Sequence, residues 1–225
     1  MLFKILSLIY DTVIFTAMSY SIYLWLKKGY THKQRFMFIY LIAVFFVDVL
    51  GIYIRQAYQI DQFYLYMPFN VLSIVYFSYF FGIDYQNNIN KYFLYGISFL
   101  TLLVITYIQV ETPIIKIDAQ IFVALVLFIL LISLQWLLYI INHIDEENIT
   151  HKQAFWVSVA LIIWSVFALF RLFLNQWLYD YDRDVFSIIA YLFNIANITM
   201  YLFFLQGIRV INKKDNTTHK TIRLA

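Results

Sequence analysis

Apolar stretches of bilayer-crossing length alternate with short polar clusters along the whole chain. A helix needs about 20 mostly apolar residues to cross the hydrocarbon core of a membrane. Seven segments qualify, roughly 5–26, 36–54, 62–82, 92–110, 119–141, 154–177 and 185–207. The runs are too long, and alternate too little, to be strands of a membrane barrel. Their connections are short, so the helices are expected to form one compact bundle. The predicted fold is all-α, a seven-transmembrane helix bundle over residues 1–208 followed by a basic tail at 209–225. The apolar run near the N-terminus continues to Leu26 without a small-residue cleavage site, which predicts a first spanning helix rather than a signal peptide.

Composition agrees with a bilayer as the solvent. Of the 225 residues, 63% are hydrophobic and only 13% are charged, about half the charged share of a soluble domain. Aromatic residues reach 21%, enough for interfacial belts as well as helix contacts. The chain has no cysteine, which excludes disulfides, thiol catalysis and cysteine-ligated zinc. The net charge of +3 comes from two local clusters and gives no reason to expect nucleic acid as a partner.

Those clusters predict an orientation. Lys27, Lys28, Lys33 and Arg35 follow the first segment, and Arg209, Lys213, Lys214, Lys220 and Arg223 follow the seventh. Six helices separate them, so both fall on one side, which the positive-inside rule makes cytoplasmic. The N-terminus is then outside and the C-terminus inside. The opposite segments hold only Lys4, Arg55, Lys116 and Arg183, among Asp61, Glu111, Asp118, Asp180, Asp182 and Asp184. The Asp145–Glu147 run falls on the cytoplasmic side, where acidic residues carry little weight in the rule. The expected location is a bacterial inner membrane.

An internal repeat supports the same layout. Thr31-His-Lys-Gln-Arg-Phe36 recurs 119 residues later as Thr150-His-Lys-Gln-Ala-Phe155, five of six residues matching. Each copy immediately precedes a predicted helix, the second and the sixth. Phe69-Asn-Val71 is echoed by Phe193-Asn-Ile195 in the helices that follow. Two parallel three-helix units are expected, at about 5–82 and 119–207, joined by a linker helix at 92–110.

This three-plus-one-plus-three arrangement resembles that of SWEET sugar transporters, KDEL receptors and microbial opsins. The SWEET resemblance includes asparagines in the third and last helices, here Asn70 and Asn194 with Asn197 nearby. The chain departs from that family in lacking its Pro-Gln dipeptide and in having only two prolines, Pro68 and Pro113. It departs from the opsins in having no lysine within 185–207 to hold a retinal. It is also similar to small uncharacterised bacterial seven-helix membrane proteins, through the basic first loop, Asp48 in the second helix, the asparagine and aromatics of the third, and Phe155-Trp156 opening the sixth. That likeness implies no activity. Seven-helix membrane hydrolases of the ceramidase and progestin-receptor-like group resemble the chain in size. They need histidines at a metal site within the membrane, whereas His32, His143, His151 and His219 all lie outside the predicted spans. No metal, cofactor or catalytic signature is expected.

Polar groups inside the spans carry the functional signal, because a charge at a helix centre costs about 2.5–3.5 kcal/mol on insertion scales. Asp11, Asp48, Arg171, Asn70, Asn194 and Asn197 fall between mid-membrane and the outer surface, and Arg55 caps the second helix outside. Together they predict an outward-facing, water-accessible cavity, in which Arg171 and Arg55 suit an anionic or hydroxyl-rich ligand. The competing reading is structural, an Asp48–Arg171 ion pair with asparagine hydrogen bonds between helices. The expected function is a receptor-like or accessory signalling module, with a small-molecule ligand and a cytoplasmic or membrane protein partner. A SWEET-like solute transporter is the alternative, and a membrane-embedded enzyme the third.

Overall fold

The computed structural model describes residues 2–51, 57, 63–111, 119–143, 148–181 and 183–224. These residues form helices and turns, with no strand among them. Seven α-helices follow in order: α1 (Leu2–Lys28), α2 (Met37–Val44), α3 (Phe63–Gly82), α4 (Asn88–Glu111), α5 (Ala119–Asn142), α6 (Gln153–Tyr181) and α7 (Arg183–Leu224). A π-helical segment, Phe45–Leu50, continues α2, and a 3-10 turn, Ile149–His151, leads into α6.

Six of the helices, all but α2, are long and apolar enough to cross a membrane, and the protein is a multi-pass membrane protein. Their outward faces are apolar. Leu8, Ile89, Tyr107, Val110 and Phe173 are each about two-thirds to four-fifths accessible, with Val110 at 81%. Water would penalise such a surface, whereas lipid does not. The apolar helix that includes α2 runs only Met37–Val49, and residues 52–54 of the expected second span lie outside the described residues.

The helices close into a ring. α1 packs on α2 and α7, α7 on α6, α6 on α5, α5 on α3, and α3 on α2. α4 stands outside this ring, against α3 and α5. Its buried stripe is Leu94, Ser98, Thr101 and Ile105, one residue every three or four positions. Small polar residues in such a stripe let backbones approach closely in a membrane. The Ser98 hydroxyl lies 2.6 Å from that of Ser78 of α3, one donating to the other, which in turn donates to a carbonyl one turn back in its own helix.

One end of the bundle collects the basic residues. α1 ends there at Gly29, whose left-handed φ of 65° suits the residue without a Cβ. The turn that follows is tight, with Arg35 and Phe36 also left-handed at φ 52° and 57°. Such strain in bulky residues persists only where surrounding contacts over-determine it. Those contacts are visible. The Arg35 guanidinium donates to both Asp84 carboxylate oxygens, at 2.9 and 2.6 Å, and to the Phe80 carbonyl at 2.8 Å. It also lies over the Phe80 ring. Trp136 of α5 donates to the same carboxylate at 2.7 Å. Three elements are thus tied by one ion-pair cluster. Nearby, buried Gln34 accepts from Ser21 Oγ at 2.6 Å and donates to the Ser21 carbonyl, and Lys28 reaches Asn212 of α7.

The two Thr-His-Lys-Gln copies meet at this end. Gln153 Nε2 points at the Gln34 carbonyl across 3.5 Å, and both glutamines are buried. Their local structures differ. α2 starts after the first copy, at Met37, whereas α6 starts on the glutamine of the second, Gln153. The left-handed pair Arg35–Phe36 delays the first helix. α7 continues as helix through Leu224, past the apolar stretch that ends near residue 207.

Candidate functional site

A cavity of about 560 Å³ lies inside the ring, within the usual range for small-molecule sites. All six ring helices or their continuations contribute to its wall, and α4 does not. Its lining comes from early α1 (Tyr10), the middle of α2 and its π segment (Tyr40, Asp48), early α3, early α5, the middle of α6 and the first half of α7. Because successive helices reverse direction, these positions run from the middle of the bundle toward the end away from the basic residues.

Asp48 sits in the π-helical segment Phe45–Leu50. A π turn inserts an extra residue and re-aims the side chains around it, and such turns recur at functional sites. The Asp48 carboxylate faces the cavity and accepts from the Tyr10 hydroxyl at 2.5 Å and from the Tyr66 hydroxyl at 3.4 Å. Tyr40 and Tyr201 line the same wall, and the Tyr10 and Tyr201 rings meet edge-on with centroids 5.8 Å apart. Burial therefore leaves the carboxylate ringed by phenols.

Of the residues expected at the site, Asp48, Arg171, Asn70 and Asn197 line this cavity. Arg171 is exposed and stacks over the Phe193 ring, 4.6 Å from its centroid. No ion pair joins it to Asp48; among the described residues the carboxylate is held by tyrosines instead. Asn197 accepts from Trp164 Nε1 at 2.6 Å, which fixes its amide. Asn70 turns to the cavity from α3, just after Pro68. Proline lacks an N–H, so it interrupts the helical ladder beside this wall. Asn194 and Asp11 lie off the lining. Arg55 lies outside the described residues, as do Asp61, Lys116, Asp118, Asp145 to Glu147 and Asp182.

Four tyrosines were not expected. Helical register offers the signal that finds two of them: Tyr66 precedes Asn70 by one turn, and Tyr201 follows Asn197 by one turn. The opposite wall, on α5, is apolar throughout, with Ile121, Phe122, Leu125 and Ile129. The cavity thus has a polar pole at Asp48 and an apolar body. Among the described residues no group of three or more His, Asp or Glu could hold a metal ion.

This geometry defines a multi-pass helical membrane protein with an internal amphipathic cavity. No protein-family model matches the chain, and no curated protein or solved structure shows significant similarity to it.

Proposed function

We propose that the protein is a receptor-like membrane module that binds a small molecule in this cavity and relays the event to a protein at its basic end. The cavity itself carries the reading: a partly open space of about 560 Å³ with a carboxylate held at one pole. A purely structural core would fill such a volume with side chains, since voids in packed interiors cost stability.

The membrane layout belongs to the same proposal. Seven spans are inferred, with the N-terminus outside and the C-terminus in the cytoplasm of a bacterium. Arg35 contacts the basic end while Asp48, 13 residues on, contacts Tyr10 in the other half. At about 1.5 Å per residue that is roughly 20 Å of travel, which supports a crossing by the second segment. The gathering of Lys28, Arg35 and Lys152 at one end supports cytoplasmic placement of that end. The cavity would then open toward the outside. Two three-helix units with α4 as linker fit the exclusion of α4 from the ring and the meeting of Gln34 with Gln153.

Affinity purification from the native membrane tests the reading. A small molecule should accompany the wild type and be lost from Leu125→Trp, which fills the apolar wall. A protein partner should come with both. Recovery of no small molecule from a folded wild type counts against it. One observation favours a second reading, solute transport. The π segment Phe45–Leu50 and Pro68 both interrupt regular helix beside the cavity, and broken helices are where transporters place their sites. Directional uptake of the recovered molecule by proteoliposomes would move transport to the front.

A further inference from the structure

We propose that the cavity selects an organic cation, seating an ammonium group between Asp48 and the phenol rings around it, with an apolar body against α5. The inference rests on reading the cavity as a ligand site and names the class of ligand it takes.

Asp48 carries the argument. Its hydrogen bonds come from Tyr10 and Tyr66, and no cationic side chain pairs with it among the described residues. Phenol donors satisfy lone pairs but leave the negative charge unbalanced. A carboxylate in a low-dielectric site is costly without a counter-charge. Tyr10, Tyr40, Tyr66 and Tyr201 surround the same space. Aromatic rings attract cations, most strongly when desolvated, and phenols gathered beside a carboxylate suit quaternary and alkyl ammonium groups.

Arg171 does not supply the missing charge. It is exposed and stacked on Phe193, at the α6–α7 side of the lining. The wall on α5, with Ile121, Leu125 and Ile129, offers no polar group, so the part of the ligand that faces it is a hydrocarbon chain or ring. The sequence alone suited an anionic or hydroxyl-rich ligand, because Arg171 and Arg55 stood out in it and the tyrosines did not.

The test is equilibrium binding of radiolabelled hexyltrimethylammonium to the full chain in maltoside micelles, with hexanol and hexanoate as competitors of equal chain length. The cation is expected to bind at least tenfold tighter than either. Asp48→Asn should remove that preference and leave hexanol binding in place, which also reports folding. Tyr201→Leu keeps the carboxylate and should weaken the cation several-fold. Leu125→Trp should exclude all three probes. Hexanol or hexanoate competing as well as the cation, with binding still blocked by Leu125→Trp, overturns the cation proposal and leaves the cavity reading standing. Cation binding unchanged by both Asp48→Asn and Tyr201→Leu overturns it too. If no probe binds in a way that Leu125→Trp blocks, the cavity reading falls as well.

Discussion

The cluster of Arg35, Asp84 and Trp136 should stabilise the fold far more than a surface ion pair does. Both charged side chains are mostly buried, at 15% and 19% exposure, and the pair is bidentate. Asp84→Ala removes three hydrogen bonds at once. It strands the Arg35 guanidinium with only the Phe80 carbonyl and ring, and it leaves the Trp136 N–H without an acceptor. Orphaning one partner of a fully buried pair costs about 3–5 kcal/mol, and an unmet N–H costs about 1 kcal/mol or more. Residual exposure at the end of the bundle lowers the first figure. The net loss expected is about 3 kcal/mol, a factor of roughly 150 in the folding constant. An exposed pair would contribute under about 1 kcal/mol. Reversible unfolding in mixed micelles, followed by helicity against the mole fraction of dodecyl sulfate, measures it. A double variant sharpens the test. Arg35 has φ 52°, so Arg35→Gly removes the stranded charge and also relieves left-handed strain of roughly 1 kcal/mol. The pair Arg35→Gly with Asp84→Ala should therefore be more stable than Asp84→Ala alone. A loss under 1 kcal/mol for Asp84→Ala, or a double variant that is weaker still, would refute the reasoning.

Three further outcomes are expected. Tyr85, outside the spans, is buried, and its hydroxyl finds no hydrogen-bond partner; Tyr85→Phe should raise stability by about 1 kcal/mol in the same unfolding assay. Burial first, then the charge of Asp84 and the neighbouring Tyr139, pushes the Tyr85 phenol above its ordinary value. The group leaves stability independent of pH below the unfolded pKa of about 10 and lowers it as pH rises toward the folded value, so the wild type should lose stability above that pH more steeply than Tyr85→Phe. At Gly207, a Cβ would meet the Gln153 carbonyl at 3.2 Å and Trp156 Cβ at 3.4 Å, so Gly207→Leu should separate α6 from α7 at a cost of about 1–3 kcal/mol, seen as a lowered unfolding midpoint. Gly29→Ala meets open space but must keep φ 65°, so the loss should be about 1 kcal/mol from backbone strain alone, with ligand binding unchanged.

The spanning helices were legible because lipid tolerates so little charge. Segments expected at 92–110 and 119–141 are Asn88–Glu111 and Ala119–Asn142. Hydropathy marks where a helix enters apolar solvent rather than where its hydrogen bonds stop. This is why α7 runs on to Leu224, with neither Pro nor Gly after Gly207 to end it. The π segment Phe45–Leu50 left no trace in composition, since an extra residue in one turn changes no hydrophobic count.

The site was legible in its charges and hidden in its tyrosines. Asp48 and Arg171 stood out because a charge in a span needs a reason, and both line the cavity. Opposite sign and similar depth made them a natural ion pair, yet depth is one coordinate of three. Asp48 hangs from the second segment toward α1 and α3, and Arg171 from α6 toward α7. What surrounds Asp48 is a set of phenols drawn from 20 tyrosines, which carry no formal charge to betray them. Arg35 was read only as a loop charge that orients the chain, Asp84 was not singled out, and their pairing requires two turns to meet at one end of the ring. In both cases the chemistry depends on which helices are neighbours. A carboxylate whose neighbours are uncharged and whose surroundings are aromatic keeps its electrostatic demand for a ligand, whereas one with an arginine already beside it does not. Asp48 and Asp84 are the two cases side by side: the same residue type, one closed by Arg35 and Trp136 into the scaffold, the other left facing the cavity.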